Sequence, residues 1–529
     1  MIGTKGQGSD AAAPLPARIV DLGETPRGGV RGGVREGLLA QASAALRSGE
    51  TPQLDAWLAL EDDERWLERS LGGWFGGAFV PERRWVLLAL DRDIADIDAL
   101  MSAQVNAILH APAFQRLEAR WRGLDFLADA AALSPLAKVR VLSLPWSEVI
   151  RDLDRAGDFD RSQLFHKIYT EEIGMLGGEP FGLLIGDYEI QHRPTADHPT
   201  DDVAALKSLA MIAAAAFAPL VMGVSPVLFQ VDSYATLGRP LDVRDVFQQP
   251  EYQRWQAMRE AEEMRFVGLV APRVLMRLPY RIDGARRDGF KFAETVVGEN
   301  ARSYLWACGA LAFGSVVLRA FASFGWFADI RGAARDEMRG GLVTNLPLAC
   351  FATDAPGIAG KPSIEVLLSD TQEKDLADLG FIALRQAPYT EYALFYSNQS
   401  LHSPPRYDRA AANVNARLSA MLQYMLCVSR FAHYIKLLGR QFIGTMKTAG
   451  EIQRALSDWL QNYVTSSDEA SQDAKSRFPL RDASVEIKEV PGKAGAYSAV
   501  LYLRPHYQLD DIATGFRLVT QLAPAAHAA

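Results

Sequence analysis

Between residues 138 and 397 the apolar residues change their spacing repeatedly, and that alternation limits the folds open to the chain. Short apolar runs, "KVRVLSL", "PFGLLIGDY", "PLVMGVS" and "MRFVGLVA", read as strands. Between them "RSQLFHKIYTEEIG" and "VAALKSLAMIAAAAF" repeat at helical spacing, and "ARSYLWACGALAFGSVVLRAFASFG" reads as one long buried helix. "WFADI", "SIEVLLS" and "YALFYS" add further strand-like runs. Parallel neighbours need crossover connections, and the crossing helices cover both faces of the sheet. The fold class expected is therefore α/β (α+β): a mixed, mostly parallel sheet flanked by helices, with a helical N-terminal arm and a C-terminal β-hairpin.

The flanks divide the chain further. Residues 1–33 are rich in Gly, Ala, Pro and Arg and are expected to be disordered. Residues 34–87 are expected to form a helical arm, with "VREGLLAQASAALRSG" as one helix. A second, "TPQLDAWLALEDDERWLERSLGGW", places Thr51 as N-cap and Pro52 at the first helical position. "LGGWFGGAFVP" reads as a joint. A core domain is assigned to 88–385. It opens on a helical region over 91–128, where Ile94, Ile97, Leu100, Met101, Val105, Ile108 and Leu109 make one apolar stripe and Pro112 starts a second helix. Residues 386–529 form a C-terminal domain: a long helical run from about 412, the helix "AGEIQRALSDWLQNYVTS", the hairpin, and the strand-like "GFRLVTQLA".

The hairpin, "SVEIKEVPGKAGAYSAVLYL", alternates. Val485, Ile487 and Glu489 share one side, and Glu486, Lys488 and Val490 the other. Its turn carries Pro491, Gly492 and Gly495. A lone two-stranded hairpin is marginal in water, and its outer edges carry unpaired N–H and C=O groups. It therefore needs a partner, in this chain or another.

Bulk properties exclude some functions. The 529 residues carry 56 basic and 64 acidic side chains, a net charge of −8, which argues against a nucleic-acid partner. Cys308, Cys350 and Cys427 are far apart, fit no metal-ligand spacing, and read as buried thiols in a reducing compartment. The N-terminus lacks the apolar core of a signal peptide. Residues 208–231 carry no charge and are long enough to span a bilayer, but Pro219, Gly223 and Pro226 interrupt them. They read better as a buried helix–strand pair, with no membrane insertion.

No catalytic motif stands out. Gly357–Lys361 has the wrong spacing for a phosphate loop, and Pro362 stands where a hydroxyl residue is needed. No G-x-S-x-G elbow or H-E-x-x-H pair occurs, so no metal or cofactor is expected. Asp187 follows a strand, where α/β enzymes place catalytic groups; a turn cap or an Arg ion pair is the simpler reading. His433, with Arg430 and Lys436 on either side, reads better as part of a packed helix with one basic face than as an active-site base. The acids of "SSDEASQDAK", Asp468, Glu469 and Asp473, are either a solvated face or a docking surface for a basic partner. The balance favours an assembly component over an enzyme.

Longer segments carry a resemblance. "SAQVNAILHAPAFQRLEARWRGL", "EEIGMLGGEPFGLLIGDYEI", "RFVGLVAPRVLMRLPY", "ARLSAMLQYMLCVSRFAHYIK" and "VEIKEVPGKAGAYSAVLYLRPHYQLDDI" resemble the large sheath subunit of the bacterial type VI secretion system, the TssC/VipB family. The resemblance runs from about Leu88 to Leu522. It implies a contractile tail-sheath-like core and a structural role. The large subunit would pair with the small subunit TssB (VipA), polymerise helically on a baseplate around an inner tube of Hcp, and contract to propel it. The ATPase ClpV would recycle the sheath, all in the bacterial cytoplasm. It also implies that the C-terminal strands pair between subunits, which here points to Val485, Ile487, Val490, Tyr497, Val500, Tyr502 and Leu503. The acids at 468–473 become tube-facing candidates by charge alone. Residues 1–87 depart from the family pattern, which leaves the ClpV contact open and suggests a divergent paralogue. Leu38, Leu39, Leu46, Trp57 and Trp66 in that arm are expected to pack on the small subunit or on each other. Two other readings stay open: the sheath of another phage-tail-like particle, and an α/β enzyme centred on Asp187.

Overall fold

The computed structural model describes residues 57–60, 65–75, 83–175, 177–239, 241–282, 289–296, 303–333, 337–348, 363–387, 390, 392–442, 448–467, 470–489, 497–506 and 516–522. The expected cap at Thr51, the first arm helix, Leu38, Leu39, Leu46, Cys350 and the hairpin turn lie outside them. The chain forms two compact units, Met1–Gln115 with Pro279–Val297, and Arg116–Leu278 with Gly298–Ala529.

In the first unit, helix α1 (Trp66–Phe75) runs straight through Gly72 and Gly73, where a joint was expected. Gly73 makes room for packing. A Cβ at Gly73 would lie 3.0 Å from the Trp57 ring, whose Nε1 donates to the Ser70 carbonyl at 2.9 Å. Trp57 thus packs on Trp74, with ring centroids 5.4 Å apart. Helix α2 (Arg83–Leu109) is tied to the 279–297 segment: the Thr295 amide donates to Asn106 Oδ1 at 3.0 Å, and His110 meets Glu294 at 3.1 Å.

The second unit contains the sheet. Helix α3 (Pro112–Ala131) opens at Pro112 as expected, and α4 (Trp146–Ala156) and a π-helical turn (His166–Gly174) follow. Strand β1 (Leu184–Ile190), helix α5 (Asp202–Ala216), β2 (Leu220–Val224) and β3 (Val267–Ala271) alternate as the sequence requires. Next come β4 (Val274–Arg277), β5 (Leu305–Ala307), α6 (Gly309–Phe324), β6 (Leu342–Val343), α7 (Asp370–Asp378), β7 (Phe381–Gln386) and β8 (Ala393–Phe395). The main sheet has the order β1-β2-β3-β7-β8-β6, parallel through β7 and antiparallel at β8 and β6.

Both faces of this sheet are apolar, and the side chains sort by parity. Leu220, Met222, Val224, Leu269 and Phe381 join one core with α5, while Val221, Val270, Ile382 and Leu384 join another with α6. Close packing on the α6 side needs small residues. A Cβ at Gly314 would lie 2.5 Å from Ile185 Cδ1 and 3.0 Å from Leu127 Cδ2.

Four strand or helix expectations change. "KVRVLSL" is extended but bonds to no other strand among the described residues. The long helix expected from Ala301 starts only at Gly309, because the β-formers Leu305 and Trp306 pair with β4. "WFADI" is not a strand. After the left-handed cap at Gly325 the chain turns, sending Trp326 and Phe327 into different cores. "SIEVLLS" pairs only briefly, with Ile364 bridged to Val274.

The C-terminal part follows: α8 (Ala410–Ser419), α9 (Leu422–Phe442), α10 (Ala449–Gln461), β9 (Leu480–Glu489), β10 (Tyr497–Pro505) and β11 (Phe516–Leu522). Thr448 and Glu451 form a reciprocal capping box at the start of α10.

Candidate assembly interface

The hairpin has a partner within the chain. Strand β11 pairs antiparallel with β10 over its whole length, so β10 is the centre of a three-stranded sheet, β11-β10-β9. One face packs on α9 and α10. Val485, Ile487, Ala499, Leu501 and Leu503 join Phe431, Ile435, Ile452 and Leu456 in one core. Trp326 stacks on Phe431 at 4.4 Å in the same core.

The residues expected to link subunits sit as follows. Val485, Ile487, Val500 and Leu503 are buried, Tyr497 is partly buried and Tyr502 is exposed. Val490 lies outside the described residues. On β10, Tyr497, Val500, Tyr502 and Leu503 pair with β9 on one side and β11 on the other. The sheet's outer edges are β9 and β11. The β9 edge is partly covered: the Thr465 amide donates to the Leu480 carbonyl at 2.9 Å, and the Ile487 amide to Gln453 Oε1 at 3.3 Å. Beyond β11 no backbone partner is found among the described residues. Sequence reading found "GFRLVTQLA" as a strand but did not place it.

A second surface was only half read. The apolar stripe of α2 faces outward: Leu87, Ile94, Met101 and Ile108 are 52%, 56%, 46% and 44% exposed. They recur every seven residues, the spacing of a helix seam. Among the expected residues of the stripe, Ile97, Leu100, Val105 and Leu109 are half-buried.

The remaining candidates are held structurally. Asp187 takes a hydrogen bond from Arg120 Nε at 2.9 Å, the ion pair expected as its simpler reading, and burial raises its carboxyl above the usual range. Glu189 is gripped from two nitrogens by Arg273, one of them at 2.7 Å. His433 is buried on α9 and donates from Nε2 to the Ala216 carbonyl at 2.8 Å; burial pulls it down to about 4. Asp473 is exposed and paired with Arg339. Asp468 and Glu469 lie outside the described residues. Trp66 is 40% exposed. Cys308 and Cys427 are buried free thiols, pushed up by burial, the second to about 12. Among the described residues no His, Cys, Asp and Glu cluster suits a metal, and no helix is long and apolar enough to cross a membrane.

Comparison with known proteins agrees with an assembly role. Residues 91–402 match the family model for VipB, described as the EvpB/VC_A0108 tail sheath N-terminal domain. Residues 411–522 match its companion, the tail sheath gpW/gp25-like domain. The chain is 39% identical over 446 residues to the type VI secretion system sheath protein TssC1 of Pseudomonas aeruginosa, covering 83% of this chain and 87% of that one. Two solved structures show weaker likeness, each at 9% identity and a TM-score of 0.31. A sheath tail protein from Desulfitobacterium hafniense aligns over 61% of this chain and 55% of its own, about half its length. A chain of the anti-feeding prophage baseplate aligns over 67% and 73%. On the sequence matches, which together reach from Asp91 to Leu522, this chain belongs to the VipB/EvpB tail sheath family.

Proposed function

We propose that the chain is the large subunit of a type VI secretion contractile sheath in the bacterial cytoplasm, where it pairs with a small TssB-type subunit. The pairs polymerise helically around an Hcp tube on a baseplate and contract to drive the tube outward. The observation that carries this reading is the TssC1 match over most of both chains. The outward stripe of α2 and the open β11 edge support it, since apolar seams and strand edges are surfaces that associate. The role is structural. Work is stored as the difference between two packings of the same interfaces, summed over many copies.

The C-terminal sheet is assigned the linking role, by strand addition at its outer edges. Tyr502 offers its exposed ring on that sheet, while the buried Val485, Ile487 and Leu503 fix its register against the helices. Asp473 and its neighbours 468 and 469 are assigned to the tube side, where Arg339 would exchange for a basic partner. ClpV recycling through the N-terminal arm completes the cycle.

Truncation tests the linking role. A chain ending at Pro505 keeps the hairpin and loses β11; one ending at Pro479 loses the whole sheet. Both should abolish long sheaths when co-expressed with the small subunit. Full-length sheaths from the chain ending at Pro479 would show that the sheet links nothing.

A further inference from the structure

A groove with a cavity volume of about 820 Å³ runs beside β1 in the second unit. Its floor is apolar, with Leu311, Val317, Leu318 and Phe321 of α6, and Trp121 and Leu124 of α3 on its wall. Two main-chain edges border it. Strand β1 is the terminal strand of the six-stranded sheet, so its outer edge pairs with nothing among the described residues. The extended segment 139–143, from the run that reads as a strand in sequence, also lines the groove. Residues 139–143 make no backbone hydrogen bond among the described residues, and all five are exposed; Val141 is 65% and Leu142 53% exposed. Exposed apolar side chains on unpaired extended backbone are unfavourable unless something covers them. At about 3.3 Å per residue, five residues span roughly 17 Å, an ordinary strand length.

The charges of the groove point to its occupant. Arg120 pairs with Asp187, Lys138 with Glu179, and Arg140 with Glu172 and Glu179. Arg430 is the exception. Its guanidinium lies 5.1–5.5 Å from the rings of Phe321, Phe327 and Tyr434, and its hydrogen-bond partner is the Tyr434 hydroxyl at 3.1 Å. Among the described residues it contacts no carboxylate, and its Nε is buried without a partner. A cation held this way among aromatic rings calls for an incoming anion.

We propose that this groove receives an extended strand from a different polypeptide, apolar on alternate residues, which adds to the free main chain of β1 and residues 139–143 and brings a carboxylate to Arg430. The proposal rests on the reading that the chain works paired with a second, smaller sheath subunit, and it assigns that subunit a seat distinct from the C-terminal sheet. Strand addition supplies binding through main-chain bonds, the apolar floor selects alternate side chains, and Arg430 sets the register.

The test uses the full chain co-expressed with the small subunit and purified as a pair. A photo-crosslinker placed at position 141 in place of the exposed Val141 should join the small subunit, and hydrogen exchange in the pair should show residues 139–143 slowed at least a hundredfold against free peptide rates. Arg430→Leu should weaken the pair at least tenfold, and the melting temperature of the isolated chain, measured alongside, separates lost binding from the loss of the Tyr434 bond and the ring contacts. Cross-links to another copy of this chain would overturn the heterologous partner. A stable pair with residues 139–143 unprotected would overturn the groove and leave the pairing intact. No pair at all would overturn the pairing reading, and this proposal with it.

Discussion

Arg277 on β4 binds Glu118 on α3, Nε to Oε1 at 2.8 Å, with both side chains about nine-tenths withdrawn from water. The same carboxylate also takes Arg122, one turn along the helix at 2.7 Å, but Arg122 is 40% exposed. The two arginines therefore differ in weight. Removing one partner of a buried pair strands the other charge, whereas a solvent-screened pair is worth little. Glu118→Ala should cost about 3–5 kcal/mol, and Arg122→Ala less than about 1 kcal/mol. Urea midpoints of the folded chain check both.

Gly314 allows α6 to lie against β1. A side chain there would enter the space of Ile185 and Leu127, and both would have to shift to admit it. Gly314→Leu should destabilise by about 1–3 kcal/mol through overpacking, despite the better helix propensity of Leu. Pairing it with Ile185→Ala should recover part of the loss, which a double-mutant cycle would read.

Buried histidines give the chain an acid-sensitive stability. His433 is held down to about 4 by burial, with Arg430 and Lys436 adding to the effect, and His192 and His402 are lowered by burial in the same direction. The unfolded chain takes up these protons near pH 6.5, so the fold is at full strength above that value and weakens as pH falls toward 4. For His433 alone the loss by pH 5 is about 2 kcal/mol. His433→Gln should flatten the fall in urea midpoint between pH 7 and pH 5.

The outward seam of α2 should matter for assembly and not for folding. Ile94→Lys with Met101→Lys changes two side chains that are 56% and 46% exposed, so the melting temperature should stay within about 2–4 °C. The fraction of chain that sediments as polymer should fall at least tenfold.

The main sheet was legible because its strands are buried on both faces. Runs such as Leu220–Val224 are apolar at every position, and few other local structures use such a run. Asp187 has the arginine partner that its simpler reading expected, and His433 lies buried on α9 against the Ala216 carbonyl. Residues 139–143 carry a strand's composition, but their partner is not among the described strands, and composition cannot tell a paired strand from a waiting one. The stripe on α2 has the same defect. Its spacing is that of a core-facing helix, yet Ile94, Met101 and Ile108 face outward. The placement of β11 beside β10 joins two segments that are apart in sequence, which alternation alone does not encode.

The most direct measurement is negative-stain electron microscopy of the chain co-expressed with its small-subunit partner. The sheath reading predicts hollow helical tubes of uniform width, lost when either chain is omitted. A soluble complex that never polymerises, with or without Hcp tubes to template it, would contradict the claim that this chain builds a sheath.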